Sequence, residues 1–511
     1  MSNNESDEQN EILIHDMIDL NIEGQKKKRT KKIIIIIAVI SIFLLAIIIG
    51  LIIYFSLKPS PKTQVKQIEP IKPNEQAKPN DTIKPIEPIN PIEPIITIPI
   101  DEKFYYDPNE KIMNYTIYKE IIKLGIISDF QLVHSNEYYK RNLEKTLIKL
   151  KKENVDVILI AGDIVDNGYE SEYEKYESIL NCVYTDNNTM PLIFEIMGNH
   201  EYYTTKYRTK GYNLEKNIKI FLNNFQKYPF YHIKINKFHF IFWSMQNYDT
   251  KNIYKIHTNW LKKHLDLAEN DLNQKGDPIF IVTHAPAKNT VYGSEEDSGS
   301  IETFKLIKNY ENAFLISGHS HRSLRHERSI WQQEFTAINT QSIAYTALSY
   351  NYSNSTNVVK SSYDSYMGYI ADLYEQKIEI HRYFFHVDKE IDSWTVHFPL
   401  QKNNFNYTID KRKMKFGIPY IWNNTIDIMK TRNGYQVKFY QAWHNLAIHS
   451  YIFKYVDRYK KNREIQIYGD YYLHNYTINN TKPKYFTISD IDISQNYSLI
   501  AVDFFKNKVV Y

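Results

Sequence analysis

The chain has 511 residues, which is enough for two or more domains. Its 63 Lys and Arg residues nearly balance 59 Asp and Glu residues, and the net charge of +4 argues against a nucleic-acid or other polyanionic partner. The single cysteine, Cys182, excludes a disulfide framework or a cysteine-ligated zinc site within one chain.

The first predicted element is a membrane span. Residues 33–57, IIIIIAVISIFLLAIIIGLIIYFSL, carry no charge and are long enough to cross a hydrocarbon core of about 30 Å. The basic run KKKRTKK at 26–32 precedes the span, so the positive-inside rule predicts that residues 1–32 form a cytoplasmic tail. We therefore expect a single-pass signal anchor. The rest of the chain is then extracellular or lumenal, at the plasma membrane or in an endosomal or lysosomal membrane.

A proline-rich segment follows at residues 58–103, with repeated IKP, IEP and INP units. Such a run cannot pack a core and favours extended polyproline II, so it predicts a semi-rigid stalk. An SH3-type ligand is the alternative, but it needs a cytosolic location.

Triplets of the N-glycosylation type lie almost wholly beyond the predicted span and suggest a glycoprotein, although an asparagine-rich chain also produces them by chance. They begin at Asn80, Asn114, Asn187, Asn351, Asn354, Asn406, Asn423, Asn475, Asn479 and Asn496.

Residues 104–390 alternate between apolar strand patterns and helical patterns. This alternation predicts an α/β domain whose sheets are buried between helical layers. The predicted strands are KLGIISD (123–129), VDVILIAGD (155–163), LIFEIMG (192–198), FHFIFW (238–243), PIFIVTH (278–284) and AFLISGH (313–319).

Residues 391–511 show short strand patterns separated by polar turns, which predict a C-terminal all-β sandwich domain. The run FTISDIDISQNYSLIAVDFFKN at 486–507, placed after a strand that carries Trp443, resembles the end of a fibronectin type III domain.

Polar residues of one chemical kind follow five of the apolar strands, at the sheet edge where open α/β folds bind ligands. They are Asp129 and Gln131 in SDFQ, Asp163 and Asp166 in GDIVD, Asn199 and His200 in GNHE, His284 in THAP, and His319 and His321 in GHSH. Oxygen and imidazole groups without sulfur suit divalent Mn, Fe, Zn, Co or Mg. Their number is too large for one ion and fits two ions that share a bridging ligand.

These five motifs, in this order, resemble the blocks of the calcineurin-like metallophosphoesterase superfamily over roughly residues 120–385. The resemblance implies a four-layer α/β/β/α sandwich with a dinuclear site for Mn, Fe or Zn. It assigns Asp129, Gln131 and His321 to one metal, Asn199, His284 and His319 to the other, and Asp163 to the bridge. The resemblance also implies that His200 is catalytic, because it would stabilise charge on the phosphoryl group and protonate the leaving oxygen. Asp166 is implied to orient the ligands.

The first motif departs from the family pattern Asp-x-His, because Gln131 stands at the histidine position. A carboxamide oxygen is a weaker ligand than imidazole, which favours a loosely held or harder ion such as Mn. The glutamine is similar to manganese-dependent ADP-ribose and CDP-alcohol diphosphatases, which suggests a nucleotide diphosphate or phosphodiester substrate. The second block has no tyrosine ligand, so purple acid phosphatases are the weaker match.

The predicted function is a membrane-anchored phosphohydrolase that cleaves phosphoester, phosphodiester or phosphoanhydride bonds through attack by a metal-activated hydroxide. Its substrate is expected to be a phosphorylated small molecule, with nucleotides and lipid head groups as candidates. Tyr202 and Tyr203 line a base- or lipid-facing wall or else pack in the core, and Glu201 is expected to orient its loop. The alternative is a cell-surface binding or adhesion protein on a degenerate phosphoesterase scaffold, which Gln131 alone favours.

Overall fold

The computed structural model describes residues 105–510 except 108, 110, 134, 187–188, 204–213, 247–256, 296–297, 348–364, 422–425, 470–484, 492 and 494, and except the side chains of 485–490 and 495. These residues belong to one unit, Val65–Tyr511. The predicted cytoplasmic tail, membrane span and stalk lie outside the described residues. Within the part that is described, no helix combines the length and the apolar composition that crossing a bilayer requires.

The first sheet has six strands, and its central part is parallel. The strands are β2 (Ile122–Ile127), β3 (Val157–Ile160), β4 (Leu192–Glu195), β11 (Met367–Leu373), β12 (Lys377–Phe384) and β13 (Lys389–His397). Their order is β13-β12-β11-β2-β3-β4. Strands β2, β3 and β4 are parallel, and β11 runs antiparallel to β2.

The second sheet has seven strands in the order β1-β5-β6-β7-β8-β10-β9. Strands β6, β7, β8 and β10 are parallel, so their carboxyl ends lie at one edge. The strands are β1 (Met113–Tyr115), β5 (Phe230–Ile235), β6 (Phe238–Trp243), β7 (Ile279–Thr283), β8 (Ala313–Ser317), β9 (Ile330–Gln332) and β10 (Thr336–Asn339).

Helices alternate with these strands, as the sequence predicts. They are α1 (Glu137–Lys152), α2 (Glu170–Val183), α3 (Leu214–Phe225), α4 (Thr258–Asn270) and α5 (Ile301–Ile307). Alternate residues of a strand point to opposite faces. Thus Val157 and Leu159 pack with residues of both sheets, whereas Ile158 and Ile160 pack in the cluster that contains Leu143 of α1. The mixed α/β sheets confirm the predicted fold class.

The C-terminal part is an all-β domain, which confirms that prediction. It follows helix α6 (Ile409–Phe416) and contains β14 (Ile426–Thr431), β15 (Gly434–Tyr440), β16 (Ser450–Val456), β17 (Asn462–Tyr468), β18 (Tyr485–Ile491), β19 (Gln495–Val502) and β20 (Lys508–Val510). They form a three-stranded sheet, β14-β15-β18, and a four-stranded sheet, β17-β16-β19-β20. Phe439 and Tyr451 are among the residues that form its core.

The predicted domain boundary at residue 390 falls inside β13. This strand pairs with β12 as far as His397, so residues 391–397 lie in the six-stranded sheet of the first domain rather than in the β domain. A short helix, α6, also lies in the region for which only strands are predicted.

A chain of buried histidines joins β5, β6 and α4. His239 Nε2 lies 3.3 Å from Asp271 Oδ2, His239 Nδ1 lies 3.0 Å from His232 Nε2, and His232 Nδ1 lies 3.1 Å from His264 Nδ1. If each imidazole is neutral and carries one proton, every one of these contacts pairs a donor with an acceptor, beginning at the Asp271 carboxylate. Burial lowers the pKa of all three histidines, in His264 to about 4.

We expect this chain to make the fold sensitive to acid. The pKa of His264 is about 4 when folded against a reference value of 6.5, so the unfolded state binds more protons as pH falls from 6.5 to 4. The unfolding temperature, followed by circular dichroism in the metal-free protein, should therefore fall over this range. The fall should be smaller in His264→Gln and unchanged in His397→Gln, whose side chain is exposed. Equal falls in the wild type and His264→Gln would contradict the assignment.

Candidate metal centre

The predicted ligands lie just beyond the carboxyl ends of strands from both sheets. Five of the seven adopt left-handed backbone conformations, with φ of 55° at Asp129, 47° at Gln131, 54° at Asp163, 68° at His319 and 53° at His321. Such conformations are uncommon for residues other than glycine and cost about 1–3 kcal/mol each. They turn the chain sharply after β2, β3 and β8, and the ligand side chains converge.

One group of donor atoms surrounds the Nε2 atom of His284. This atom lies 3.1 Å from Asn199 Oδ1, 3.1 Å from His319 Nδ1 and 3.2 Å from Asp163 Oδ2. The Nδ1 atom of His284 lies 2.7 Å from the Ala161 carbonyl, which can only accept a hydrogen bond. Nδ1 therefore carries a proton, and Nε2 is the ring atom that faces the other metal-binding groups.

A second group contains Asp129, Asp163 and His321, each of which offers a donor atom within 4.8 Å of the other two. His321 Nε2 lies 3.0 Å from Asp129 Oδ1. Asp163 belongs to both groups, since it also satisfies the same distance limit with His284 and His319. The structure thus brings together six of the seven residues that the sequence assigns to two metals, and Asp163 belongs to both groups.

The electrostatics of this pocket favour cations. Asp129 and Asp163 are buried, and burial raises a carboxyl pKa. In Asp163 the potential of His284 and His200 outweighs burial and lowers the pKa below its usual range. Burial also lowers the pKa of His284, but Asp163 and Asp129 outweigh it and raise that pKa to about 10. Two carboxylates with oxygen and nitrogen donors around them therefore fit a pair of divalent ions.

His200 lies beside the shared carboxylate. Its backbone N–H donates to Asp163 Oδ1 (2.9 Å), and its Nδ1 lies 3.0 Å from Asp166 Oδ1. On the other side of the ring, Nε2 lies 2.9 Å from the amide nitrogen of Gln131. Gln131 thus contacts His200, and Asp166 holds the same imidazole rather than the predicted ligands. An amide offers both a donor and an acceptor, so Gln131 can pair with His200 in either protonation state.

Glu201 orients its loop, as the sequence suggests. Its buried carboxylate accepts hydrogen bonds from the backbone N–H groups of Asp163, Ile164, Val165 and Gly198. This one side chain therefore joins the GDIVD and GNHE segments and keeps Asp163 beside Asn199.

The two neighbouring tyrosines differ in their surroundings. Tyr202 is fully buried, and its hydroxyl donates a hydrogen bond to the Met245 carbonyl. Of the two roles predicted for this residue, packing in the core is therefore the one observed. Tyr203 lies at the site instead. Its hydroxyl accepts from Asn199 Nδ2 (2.7 Å), and its ring centroid is 4.2 Å from that of His200.

The sequence reasoning missed the segment that follows β10. Ser342 Oγ donates to the Asp129 carbonyl (2.8 Å), and Thr340 contacts Ser128, which in turn contacts the Asp129 carboxylate. The ring of Tyr345 lies 4.4 Å from that of His321. A signal for this segment is present, because TAIN is an apolar strand that ends in polar residues, Thr-Gln-Ser, as the other five do.

Glycines clear the space that the carboxylates occupy. A Cβ atom on Gly198 would lie 2.2 Å from Asp163 Oδ1, and one on Gly318 would lie 2.6 Å from Asp129 Oδ2. Gly162 has a φ of 86°, and a Cβ there would lie 2.7 Å from His284 Nδ1. The glycine that precedes each ligand in GDIVD, GNHE and GHSH is therefore a steric requirement of the site.

We expect Gly198→Ala to reduce Mn(II) affinity about 10- to 100-fold, because the new methyl group displaces the shared Asp163 carboxylate. Isothermal titration calorimetry measures the affinity, and circular dichroism checks that the fold remains. Gly125→Ala is the matched control, since a Cβ there meets only the flexible Leu150 side chain, at 3.0 Å. Wild-type affinity in Gly198→Ala would disprove the steric role.

Comparison with known proteins finds one family model that matches the segment containing this centre. Residues 122–323 match the family model described as calcineurin-like phosphoesterase. A search of curated protein sequences finds no match. The similar solved structures include a dimetal phosphatase from Danio rerio (13% identity, 55% of this chain and 100% of that one, TM-score 0.38). They also include GAP50, the anchor in the inner membrane complex of Plasmodium (17%, 56% and 93%, 0.37), and purple acid phosphatase PPD1 from yellow lupin seeds (12%, 55% and 56%, 0.40).

The family match covers the motifs SDFQ, GDIVD, GNHE, THAP and GHSH, which supply both groups of donor atoms. The segment that matches the calcineurin-like phosphoesterase model is thus the segment that contains the candidate metal centre.

Proposed function

We propose that this protein is a membrane-anchored dinuclear-metal phosphohydrolase that cleaves phosphodiester or phosphoanhydride bonds of a small molecule, with nucleotides and lipid head groups as candidate substrates. The observation that carries the proposal is the position of Asp163, which belongs to both groups of metal-binding side chains. Two carboxylates, two carboxamides and three histidines with one shared carboxylate are what a pair of ions needs.

In this proposal each side chain has a defined task. Asp129, Gln131 and His321 would hold one ion, Asn199, His284 and His319 would hold the other, and Asp163 would be shared by both. A pair of divalent cations supplies Lewis acidity at the phosphoryl oxygens and lowers the pKa of the attacking water. His200 faces the same pocket, where it stabilises charge on the phosphoryl group and gives a proton to the leaving oxygen. Asp166 and Gln131 hold the His200 ring from its two edges.

The proposal is tested with the full chain purified in detergent and assayed with Mn(II) on phosphodiesters, monoesters and nucleotide diphosphates. We expect turnover that EDTA abolishes and Mn(II) restores. His200→Ala should lower kcat by about 10²–10⁴, the usual contribution of a general acid, while bound Mn(II) stays near the wild-type content.

His397→Ala serves as the control for the loss of a histidine, because this residue lies at the end of β13 in the first domain. Loss of Mn(II) in His200→Ala would refute the division of roles. The absence of turnover with any divalent metal in the wild type would instead favour the binding or adhesion function, for which the carboxamide at Gln131 is the supporting feature.

The proposed location follows from the apolar segment 33–57 and its basic flank, with residues 58–103 as a stalk and the catalytic domain extracellular or lumenal. Two of the glycosylation triplets begin at described positions on the β strands, Asn114 and Asn496. Enzymatic deglycosylation of protein from its native membrane should lower the mass of the chain. An unchanged mass would remove the support for this orientation.

A further inference from the structure

The C-terminal β domain touches the phosphoesterase domain through four packed rings, which we call the ring stack: Tyr292, His326, His449 and Phe504. Tyr292 and His326 lie in the phosphoesterase domain with ring centroids 3.6 Å apart and planes nearly parallel, at 9°. From the β domain, the Phe504 ring lies 4.9 Å from His326 and the His449 ring lies 5.1 Å from it, both at steep angles. The two edge-on contacts of His326 are a favourable geometry for aromatic rings.

The ring stack continues into the loop that carries two metal-binding histidines. Gly293 follows Tyr292 with a φ of 89°, and a Cβ there would lie 2.6 Å from Arg322 Cγ and 3.1 Å from Ser320 Cβ. Its backbone is therefore packed against the two residues that flank His321. The Tyr292 N–H also donates a hydrogen bond to the Arg328 carbonyl (2.9 Å). This bond connects the end of the segment 322–328 to Tyr292 of the ring stack.

Ion pairs also hold the segment 322–328. Glu327 is buried and pairs with Arg382 of β12 and with Arg412 of α6, the helix that leads into the β domain. Arg328 pairs with Glu295, close to Tyr292. The segment after GHSH is therefore clamped between the sheet, the connecting helix and the β domain.

We propose that the C-terminal β domain is a positioning element of the metal centre and acts through the ring stack on the loop 319–322. His319 and His321 both have left-handed backbone conformations, which persist only where their surroundings determine them. Support of this kind behind metal ligands typically changes metal affinity 10- to 100-fold. The proposal rests on the dinuclear site described above.

The chain offers a matched pair of variants for the test. Phe504 and Phe505 are neighbours in the same turn of the β domain and are almost equally buried. Phe504 contacts His326, whereas Phe505 stacks on Phe416 (6.0 Å) and lies under Arg412 (4.9 Å). Removing either ring costs the β domain similar packing, but only the first removal opens the ring stack.

The experiment titrates the full chain with Mn(II) and follows the bound ions by calorimetry and by the electron paramagnetic resonance signal of coupled ions. We expect Phe504→Ala to weaken Mn(II) binding at least about 10-fold and to alter the coupled signal, whereas Phe505→Ala keeps the wild-type values. Phe504→Tyr retains the ring and should restore both readouts. If Phe504→Ala fails to fold, Tyr292→Leu and Tyr292→Phe take its place. Tyr292→Leu removes a ring on the other side of the contact and should weaken Mn(II) binding, whereas Tyr292→Phe keeps the ring and should not.

Equal affinities in the wild type and Phe504→Ala overturn the inference. An equal loss in Phe504→Ala and Phe505→Ala also overturns it, because Phe505 contacts Arg412 and Phe416 rather than the ring stack. A wild-type chain that binds neither Mn(II) nor Fe or Zn ions overturns the proposed function and this inference with it.

Discussion

Two buried carboxylates, Asp129 and Asp163, determine the electrostatics of this site. Their oxygens lie within 4.8 Å of one another in a pocket that water barely reaches. Like charges so placed repel strongly, and burial alone would protonate them. Instead, histidines from both sheets crowd around them, and the pKa of each carboxylate is lowered. The pocket is thus built for positive charge, which is the requirement that a pair of divalent ions meets.

The backbone makes this arrangement possible at a cost in strain. Left-handed residues follow β2, β3 and β8, and glycines at 198 and 318 leave the carboxylates the room that a Cβ would take. The strands behind them are buried on both faces, and this packing holds the strained turns in place. Glu201 then joins two of the turns through four backbone N–H groups. Rigid sheets with short, hydrogen-bonded loops are therefore the means by which ligands far apart in sequence meet.

The domain that contains the candidate metal centre and the segments around it suggest separate roles along the chain. Residues 122–323, which match the calcineurin-like phosphoesterase model, contain that centre, and the proposed anchor and stalk would determine where it is located. The β domain is attached by α6 and by the ring stack, and both contacts converge on the segment after GHSH. An attachment this close to His319 and His321 gives the β domain a physical route to the metal centre.

The predicted ligands were readable from the sequence because each obeys a local rule: an apolar strand ends, and a polar side chain follows at the sheet edge. The same rule predicted the strands and helices of the first domain. It gave no access to contacts between distant segments, such as Ser342 on Asp129, 213 residues apart. Nor could it separate Tyr202 from Tyr203, since both follow the same motif and only packing buries one of them. The boundary at 390 failed for a related reason, because β13 has the pattern of any strand and only its pairing with β12 assigns it to the first domain. Local sequence patterns thus determined which residues could bind metal, whereas the tertiary structure decided what surrounds them. The reason is that residues far apart in the sequence share no local pattern that shows that folding will bring their side chains together.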